Sequence, residues 1–488
     1  MGTGLGVVRG IFSFPAMLAS LLVVLDVLTV RSRFDDPDMW WHLKTGEVIW
    51  KTRSIPTSDI FSYTTNHHSW IPHEWLSQVL IYGAYRLDGY SGMMIWLCIF
   101  TAALLIAGYA LCSLYSGNVK VGWAGALVLW FFSTSGLAIR PQMIGYLLLT
   151  TELLVLYLGA TRNPRWFFWL PPIFGLWVNC HGSFFLGLLV GAAVLFCSYF
   201  EFQLGSLVSS RWNQRRRKLL MLALVVSVAA LFLNPVGIKE VLYPLNAMFQ
   251  QPLNIGVVEE WKPLQMSSGR GIGLMGVLGA IFLMVLIQKS QLFWHELVLL
   301  AAGTWLAVSH QRMLFVFGIL AAPVLSRLLA PFWEGFDSAQ DLPVANAGMI
   351  ALSVLIVYLA FPSRTNIKKQ IEKNSPAKAV AFLESNHFAG NMLNDYTDGG
   401  YLIWAAPTHP VFIDGRAEIY EWAGVLREYG QWAMLQSNPN TLPDKYRVNF
   451  CLLARNSPMA RVLPFLPGWQ EVYSDDHSVI FKRVSNPT

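Results

Sequence analysis

The stretch IFSFPAMLASLLVVLDVLTVRSRFDDPDMWWHLKTGEVIW, residues Ile11–Trp50, joins an apolar run to a segment crowded with carboxylates and tryptophans. The run from Ile11 to Val30 has the roughly 20 residues that a helix needs to cross a bilayer. No clear small-residue cleavage site follows it, so it reads as a retained first helix and not as a removed leader. The acidic and aromatic segment behind it therefore begins at a membrane surface. Asp38 and His42 are four residues apart and share a helical face with Trp41, while Trp40 points elsewhere. A carboxylate beside an imidazole can act as a general base or as a pair of metal ligands. An interfacial amphipathic helix with tryptophans at headgroup level explains the same pattern. The two readings are compatible: the helix is the scaffold, and Asp35, Asp36 or Asp38 is presented from its start.

The rest of the chain has the same character. Of 488 residues 54% are hydrophobic and 13% charged, and the mean hydropathy is +0.44, too apolar for soluble domains of that length. Further apolar runs lie at Gly89–Leu114, Val121–Ile139, Met143–Ala160, Phe167–Asn179, Ser183–Phe200, Leu219–Leu233, Ile272–Ile287, Leu292–Val308, Met313–Ala330 and Ala345–Phe361. With the first, these make about eleven transmembrane helices in a polytopic α-helical membrane protein. The net charge of +6 does not imply nucleic acid, because the basic residues sit in short links between apolar runs. With Arg9 inside, alternation puts Lys120, Arg162, Arg165, the block Arg211 to Lys218 and Lys289 inside as well, which is the positive-inside pattern. The Phe167 run contains Pro171 and Pro172, yet dropping it would move the Arg211 block outside. The five cysteines are scattered and form neither a disulfide framework nor a zinc signature.

Two domains are expected: residues 1–361, transmembrane with a large first outer loop at 31–88, and residues 362–488, an extracytoplasmic α/β domain. In the second, Ser375 and Pro376 open a short helix through Glu384. Val411–Asp414 and Phe450–Ala454 read as buried strands, and Trp469–Tyr473 with Ser478–Lys482 reads as a hairpin.

Unusual polar residues concentrate on the outer side. The first loop adds His67, His68, His73 and Glu74, whose spacing fits no compact zinc signature. Arg140 in IRPQ and Arg312 in SHQRM stand at helix ends, where a guanidinium can pair with a lipid phosphate or simply snorkel to the headgroups. VNCHGS brings Asn179 and His181 to a glycine turn, and VVEEWKP brings Glu259 and Glu260. In the last domain NDYTDGGYLIW contains Asp398, and VFIDGRAEIY ends a strand at Asp414 and Arg416, a position for cleft-facing residues or for a structural ion pair.

Together the acidic, aromatic first outer loop (DDPDMWWH), the many spans and the C-terminal outer domain resemble the GT-C superfamily of integral membrane glycosyltransferases. NDYTDGGYLIW followed by VFIDGR is similar to the tryptophan-aspartate-tyrosine-glycine region of oligosaccharyltransferases. Asn394, Asp395 and Tyr396 stand where that motif has paired tryptophans, so its sequon recognition does not carry over. Protein mannosyltransferases and lipid A aminoarabinose transferases share the architecture. The resemblance implies a polyprenyl-phosphate sugar donor, inversion at the anomeric carbon, and a loop-one aspartate as base.

In that scheme Asp38, or Asp36 as second choice, takes the proton of a glycan, lipid or protein acceptor. Arg312 and Arg140 neutralise the departing phosphate, and His42, His73 and Glu74 position the sugar or the base, with His181, Glu260, Asp398, Asp414 and Arg416 as further substrate-binding candidates. A bacterial inner membrane with the site facing outward is the expected location. The need for a divalent cation, Mg or Mn, stays open. A transporter or lipid flippase is the competing class; it calls for charges inside spans, of which Asp26, Glu152, Arg327, His295 and Glu296 are the candidates here.

Overall fold

The computed structural model describes residues 10–66, 68–250, 253 and 259–484. His67 lies outside the described residues, as does the side chain of Glu259. Every apolar run falls on helix. The first becomes Phe14–Val30, capped by Ser13, whose hydroxyl accepts from the Ala16 amide. The run starting at Gly89 is part of a 42-residue helix, Trp75–Ser116, whose backbone leaves helical geometry at Asp88 and Gly89. Gly89 has φ +57°, a left-handed value that glycine adopts without a Cβ penalty. The break divides an amphipathic arm, Trp75 to Leu87, from the span that follows.

Among the described residues five helices are long and apolar enough to cross a membrane: Trp75–Ser116, Gln142–Thr161, Gly269–Ile287, Gln311–Phe332 and Pro343–Ala360. Phe14–Val30, Val119–Ser133 and Phe184–Cys197 are apolar but shorter. The proline-containing run is a 3-10 turn, Pro164–Trp169, continued by the helix Leu170–Trp177. Its 8 helical residues rise only about 12 Å. It packs on Gln214–Ala230, the helix of the Arg211 block. Phe14–Val30 packs on Pro343–Ala360, so the first described apolar helix and the last long one are neighbours. A small sheet that the sequence did not announce, β1 (Phe202–Leu204), β2 (Leu207–Ser209) and β3 (Leu292–Phe293), ties the links after two of the helices together.

After Phe361 an amphipathic helix, Arg364–Asn374, buries Ile367 and Ile371. A four-stranded sheet follows in the order β4 (Asn391–Asn394), β5 (Val448–Ala454), β7 (Ser478–Arg483), β6 (Trp469–Ser474). β5 and the β6–β7 hairpin coincide with the expected strands. Val411–Asp414 does not form a strand of this sheet. Val411 instead bridges to Ser62 of the first loop, and its amide donates to Phe61 O at 3.1 Å. The other edge is held by a side chain: Asn394 Oδ1 accepts from the Phe412 amide at 2.8 Å and Nδ2 donates to Ile413 O at 2.7 Å. The segment is extended and buried as its apolar residues require, with loop one and an amide side chain supplying the bonds that a ladder would.

One side of the loop helix Met39–Thr52 is shared between two cores. Trp40 packs edge-on to Tyr90 and Tyr401 in the core of the helical bundle, whereas Trp41, with Trp70, belongs to the core of the C-terminal sheet and its helices. Adjacent residues on a helix point about 100° apart, so this pair wedges the helix between the two.

Asn394 is fully buried. Asn394→Ala strands two buried backbone groups and is expected to destabilise the protein by about 1–3 kcal/mol. A thermal unfolding curve of the detergent-purified protein checks this, and an unchanged midpoint contradicts the role given to the amide.

Candidate functional site

Asp36 Oδ1 accepts from the amide of Asp38 at 2.8 Å across Pro37, a turn that launches the helix Met39–Thr52. Asp38 occupies the N-cap without using its side chain as a cap. Its carboxylate is thus left to other partners. Trp41 Nε1 donates to Oδ1 at 3.2 Å, and Oδ2 lies 2.9 Å from Arg140 Nη2.

Arg140 stands at the turn before the helix Gln142–Thr161 and addresses three carboxylates with three nitrogens. Nε lies 2.5 Å from Asp36 Oδ2, Nη2 pairs with Asp38, and Nη1 donates to both oxygens of Glu260 at 3.3 Å. Glu260 Oε2 is also 3.3 Å from Arg312 Nη1. Arg312 Nη2 donates to Gln142 Oε1 at 3.0 Å, and its guanidinium lies 5.3 Å from the Trp261 ring centre. Arg140 is nearly enclosed, whereas the side chains of Asp38, Arg312 and Glu260 keep 25%, 26% and 44% exposure. Arg140 is therefore a fastener of carboxylates, and Arg312 is the guanidinium that faces open space.

Burial raises Asp38 to about 6 against the pull of Arg140, with Asp36 and Glu260 adding to the rise. For Glu260, burial works upward but the Arg140 and Arg312 charges outweigh it and hold it below the ordinary carboxylate range.

A second cluster adjoins this one. Glu74, at the start of the Trp75–Ser116 helix, has His181 Nε2 at 3.4 Å and His73 Nε2 at 3.6 Å from Oε1, and His42 Nδ1 at 3.7 Å from Oε2. His42 also contacts Gln78 Nε2 at 3.2 Å, and His181 Nδ1 lies 2.7 Å from Ser183 Oγ. Burial lowers His42 to about 3 and His181 to about 4, so both are neutral at physiological pH. His73 stacks on Tyr243 with ring centres 3.7 Å apart. Burial opposes its charge, but Glu74, Glu240 and Glu418 raise it above the usual value. Burial lifts Glu240 to about 8 and raises Glu418. Among the described residues, no three His, Cys, Asp or Glu side chains form a group that could hold a metal ion.

The three candidates from the last domain stand in other pairings. Asp398 lies 3.2 Å from His477 Nε2. Asp414 and Arg416 are fully buried: Arg416 Nη2 donates to Asp414 Oδ2 at 2.6 Å, Nη1 donates to Asp59 of the first loop at 2.6 Å, and Tyr420 OH donates to Asp414 Oδ2 at 2.5 Å. Their side chains are occupied with one another. The residue between them does reach the site, since a Cβ on Gly415 would collide with Asp38 Oδ1 and one on Gly400 with Pro37 O. The buried ion pairs thus press a bare stretch of backbone onto the acidic turn. His68 is exposed and takes part in a backbone turn of the first loop, away from both clusters' hydrogen bonds.

No protein-family model and no curated protein matches the chain. Solved structures do. The Archaeoglobus fulgidus oligosaccharyltransferase tethered to an acceptor peptide with the NVT sequon superposes with a TM-score of 0.54 at 11% identity, covering 96% of this chain and 74% of that one. The same organism's AglB with an inhibitory peptide and a dolichol-phosphate gives 0.52 at 11%, covering 89% and 69%. ArnT from Cupriavidus metallidurans bound to undecaprenyl phosphate gives 0.51 at 11%, covering 96% and 98%. The chain shares the fold of these three structures, in line with the architecture that its resemblance to GT-C transferases led us to expect.

Arg416→Met leaves Asp59 and Asp414 buried without a counter-charge, a change that typically costs about 3–5 kcal/mol. Limited proteolysis of the purified variant should cut the segment after Phe361 faster than in the parent protein; equal rates remove the structural weight from these pairs.

Proposed function

We propose that this protein transfers a glycosyl group from a polyprenyl-phosphate-linked donor to an acceptor hydroxyl or amide on the outer face of a membrane, inverting the anomeric carbon, with Asp38 as base. One observation carries the reading: Asp38 is a partly open carboxylate raised to about 6 and fixed by a tryptophan and an arginine, with a second, partly exposed arginine linked to it through Glu260. A base with a pKa near the working pH combines availability with proton affinity. The GT-C fold adds support, since ArnT was solved with undecaprenyl phosphate and AglB with a dolichol-phosphate.

In this reaction the acceptor attacks the anomeric carbon from the face opposite the phosphate. The carbon–oxygen bond breaks, its electron pair stays on the phosphate oxygen, and Asp38 takes the acceptor proton. Arg312 offers charge and planar donors to the departing phosphate. Arg140, read from sequence as a second phosphate partner, has its three nitrogen positions turned to Asp36, Asp38 and Glu260, so we assign it to the base and not to the leaving group. His181 and His73 beside Glu74 line the adjoining side, with the neutral His42 buried behind them, and this set of donors and acceptors suits sugar hydroxyls.

We place the protein in a bacterial inner membrane with about eleven crossings. The Arg211 block is then inside, and residues 362–488 form an outer α/β domain. The charges inside helices do not support a flippase route. Arg327 and Glu296 neutralise each other at 2.5 Å, while Asp26 and Glu152 are buried singly on separate helices, Glu152 against Gly187 and Gly191. Single-cysteine labelling of intact cells should reach position 387 and not position 215; the reverse pattern overturns this orientation.

Asp38→Asn keeps the shape of the side chain and removes the base, so transfer should fall by about a hundred- to ten-thousand-fold with donor binding retained. The rate of the parent protein should decline as pH drops through about 6, where Asp38 gains its proton. Arg312→Lys should weaken donor binding instead. Release of free polyprenyl phosphate from candidate donors measures all three, and full turnover by Asp38→Asn excludes the mechanism.

A further inference from the structure

Carboxylates gathered near a phosphate-binding position ordinarily share a divalent cation, which offsets their repulsion and polarises the phosphate. Asp36, Asp38 and Glu260, drawn from the first loop and the turn before Trp261, converge in the same way, but around a centre already filled, so that as they stand they form no ready metal group. At their centre stands a guanidinium. We propose that Arg140 occupies the place of a divalent cation among these carboxylates, so that the site works with no bound metal; for its part in the rate this rests on the transferase reading above.

The donor set supports the substitution atom by atom. Asp36 Oδ2 forms an ion pair with Arg140 at Nε, and its Oδ1 accepts from the Asp38 amide. Asp38 gives Oδ2 to Arg140 Nη2 and Oδ1 to Trp41, with the backbone of Gly415 packed against that oxygen. Both oxygens of Glu260 accept from Arg140 Nη1, and one also faces Arg312. A cation entering here must expel a nearly buried guanidinium or sit beside it against like charge. The imidazoles that could join a metal are turned away: His42, His73 and His181 direct a ring nitrogen toward Glu74.

The exchange has a chemical consequence. A divalent ion on Asp38 would lower the proton affinity that the carboxylate needs as a base. A guanidinium supplies positive charge through N–H donors and leaves Asp38 titratable, at the cost of being unable to leave or be replaced. Arg140 is by this account a positioning residue, acting on the reaction through Asp38.

The test uses the full-length protein in detergent and reads metal binding apart from turnover. Equilibrium dialysis against manganese chloride should find no stoichiometric manganese on the parent protein or on Arg140→Lys. Arg140→Ala vacates the position and should take up one manganese per chain, lost again on adding Asp36→Asn. In the donor-cleavage assay EDTA should leave the parent rate unchanged. Arg140→Ala should lose about a hundredfold or more, which manganese partly restores. Stoichiometric manganese on the parent that Asp36→Asn or Asp38→Asn removes overturns the proposal, as does EDTA inactivation reversed by metal. A folded Arg140→Ala that binds no manganese also overturns it. If Arg140→Ala does not fold, the parent and Arg140→Lys measurements decide. If no form cleaves any donor while the dialysis pattern holds, the transferase reading fails and the counter-ion role stands.

Discussion

A guanidinium taken out of water must be met by charge on nearly every side, and Arg140 meets that demand with carboxylates from three separate positions in the chain. Asp36 and Asp38 come from the loop after the first helix, Glu260 from the turn that precedes the Gly269–Ile287 helix, and the arginine from the link between Val119–Ser133 and Gln142–Thr161. No two of these four residues except the aspartates are near in sequence, so satisfying the arginine fixes the ends of several helices relative to one another. The same geometry leaves Asp38 and Arg312 each about a quarter exposed, the two linked through Glu260 and Arg140. Burial that raises Asp38 and the charge that restrains it arise from one packing arrangement.

The C-terminal unit contributes backbone where side chains were expected. VFIDGR drew attention from sequence for Asp414 and Arg416, residues that look like cleft chemistry. In the folded chain they are spent on each other, on Asp59 and on Tyr420. Gly415, chemically blank, is the part that touches Asp38. Ion pairs of this kind are costly to bury and strongly favour one arrangement once buried. Here that arrangement sets how closely the two halves of the chain approach at the acidic turn.

What the sequence made legible follows from periodicity and local chemistry. Long apolar runs such as Gly89–Leu114 can only be buried or lipid-facing helix, and each run does fall on helix. The spacing of Asp38 and His42 reads as helix, and in the structure Asp38 is the N-cap and His42 lies in the first turn, facing different partners, with Trp40 and Trp41 diverging. The acidic turn, Arg140, Glu260 and Arg312 were all among the candidates and are joined in one chain of contacts. What escaped was long-range pairing. Whether Arg140 serves a lipid phosphate or a carboxylate depends on residues 120 positions away, which no local pattern records. Val411–Asp414 had the composition of a strand, but its bonding partners are loop one and the amide of Asn394. Glu240 and Glu418 join His73 only through the fold, although Glu418 sits two residues past the Arg416 already singled out.

The division of Trp40 and Trp41 between two cores bears on how the protein could be taken apart. A chain cut after Phe361 would leave the C-terminal segment without Trp41 and Trp70 for its interior and without Asp59 to answer Arg416. The severed piece would keep the Arg416–Asp414 pair but lose the second carboxylate of Arg416 and gain two aromatic vacancies, so as a module it begins at the first loop. Shuffling that tail between related proteins therefore amounts to grafting a fruit without its stone, unless residues 31–88 travel with it.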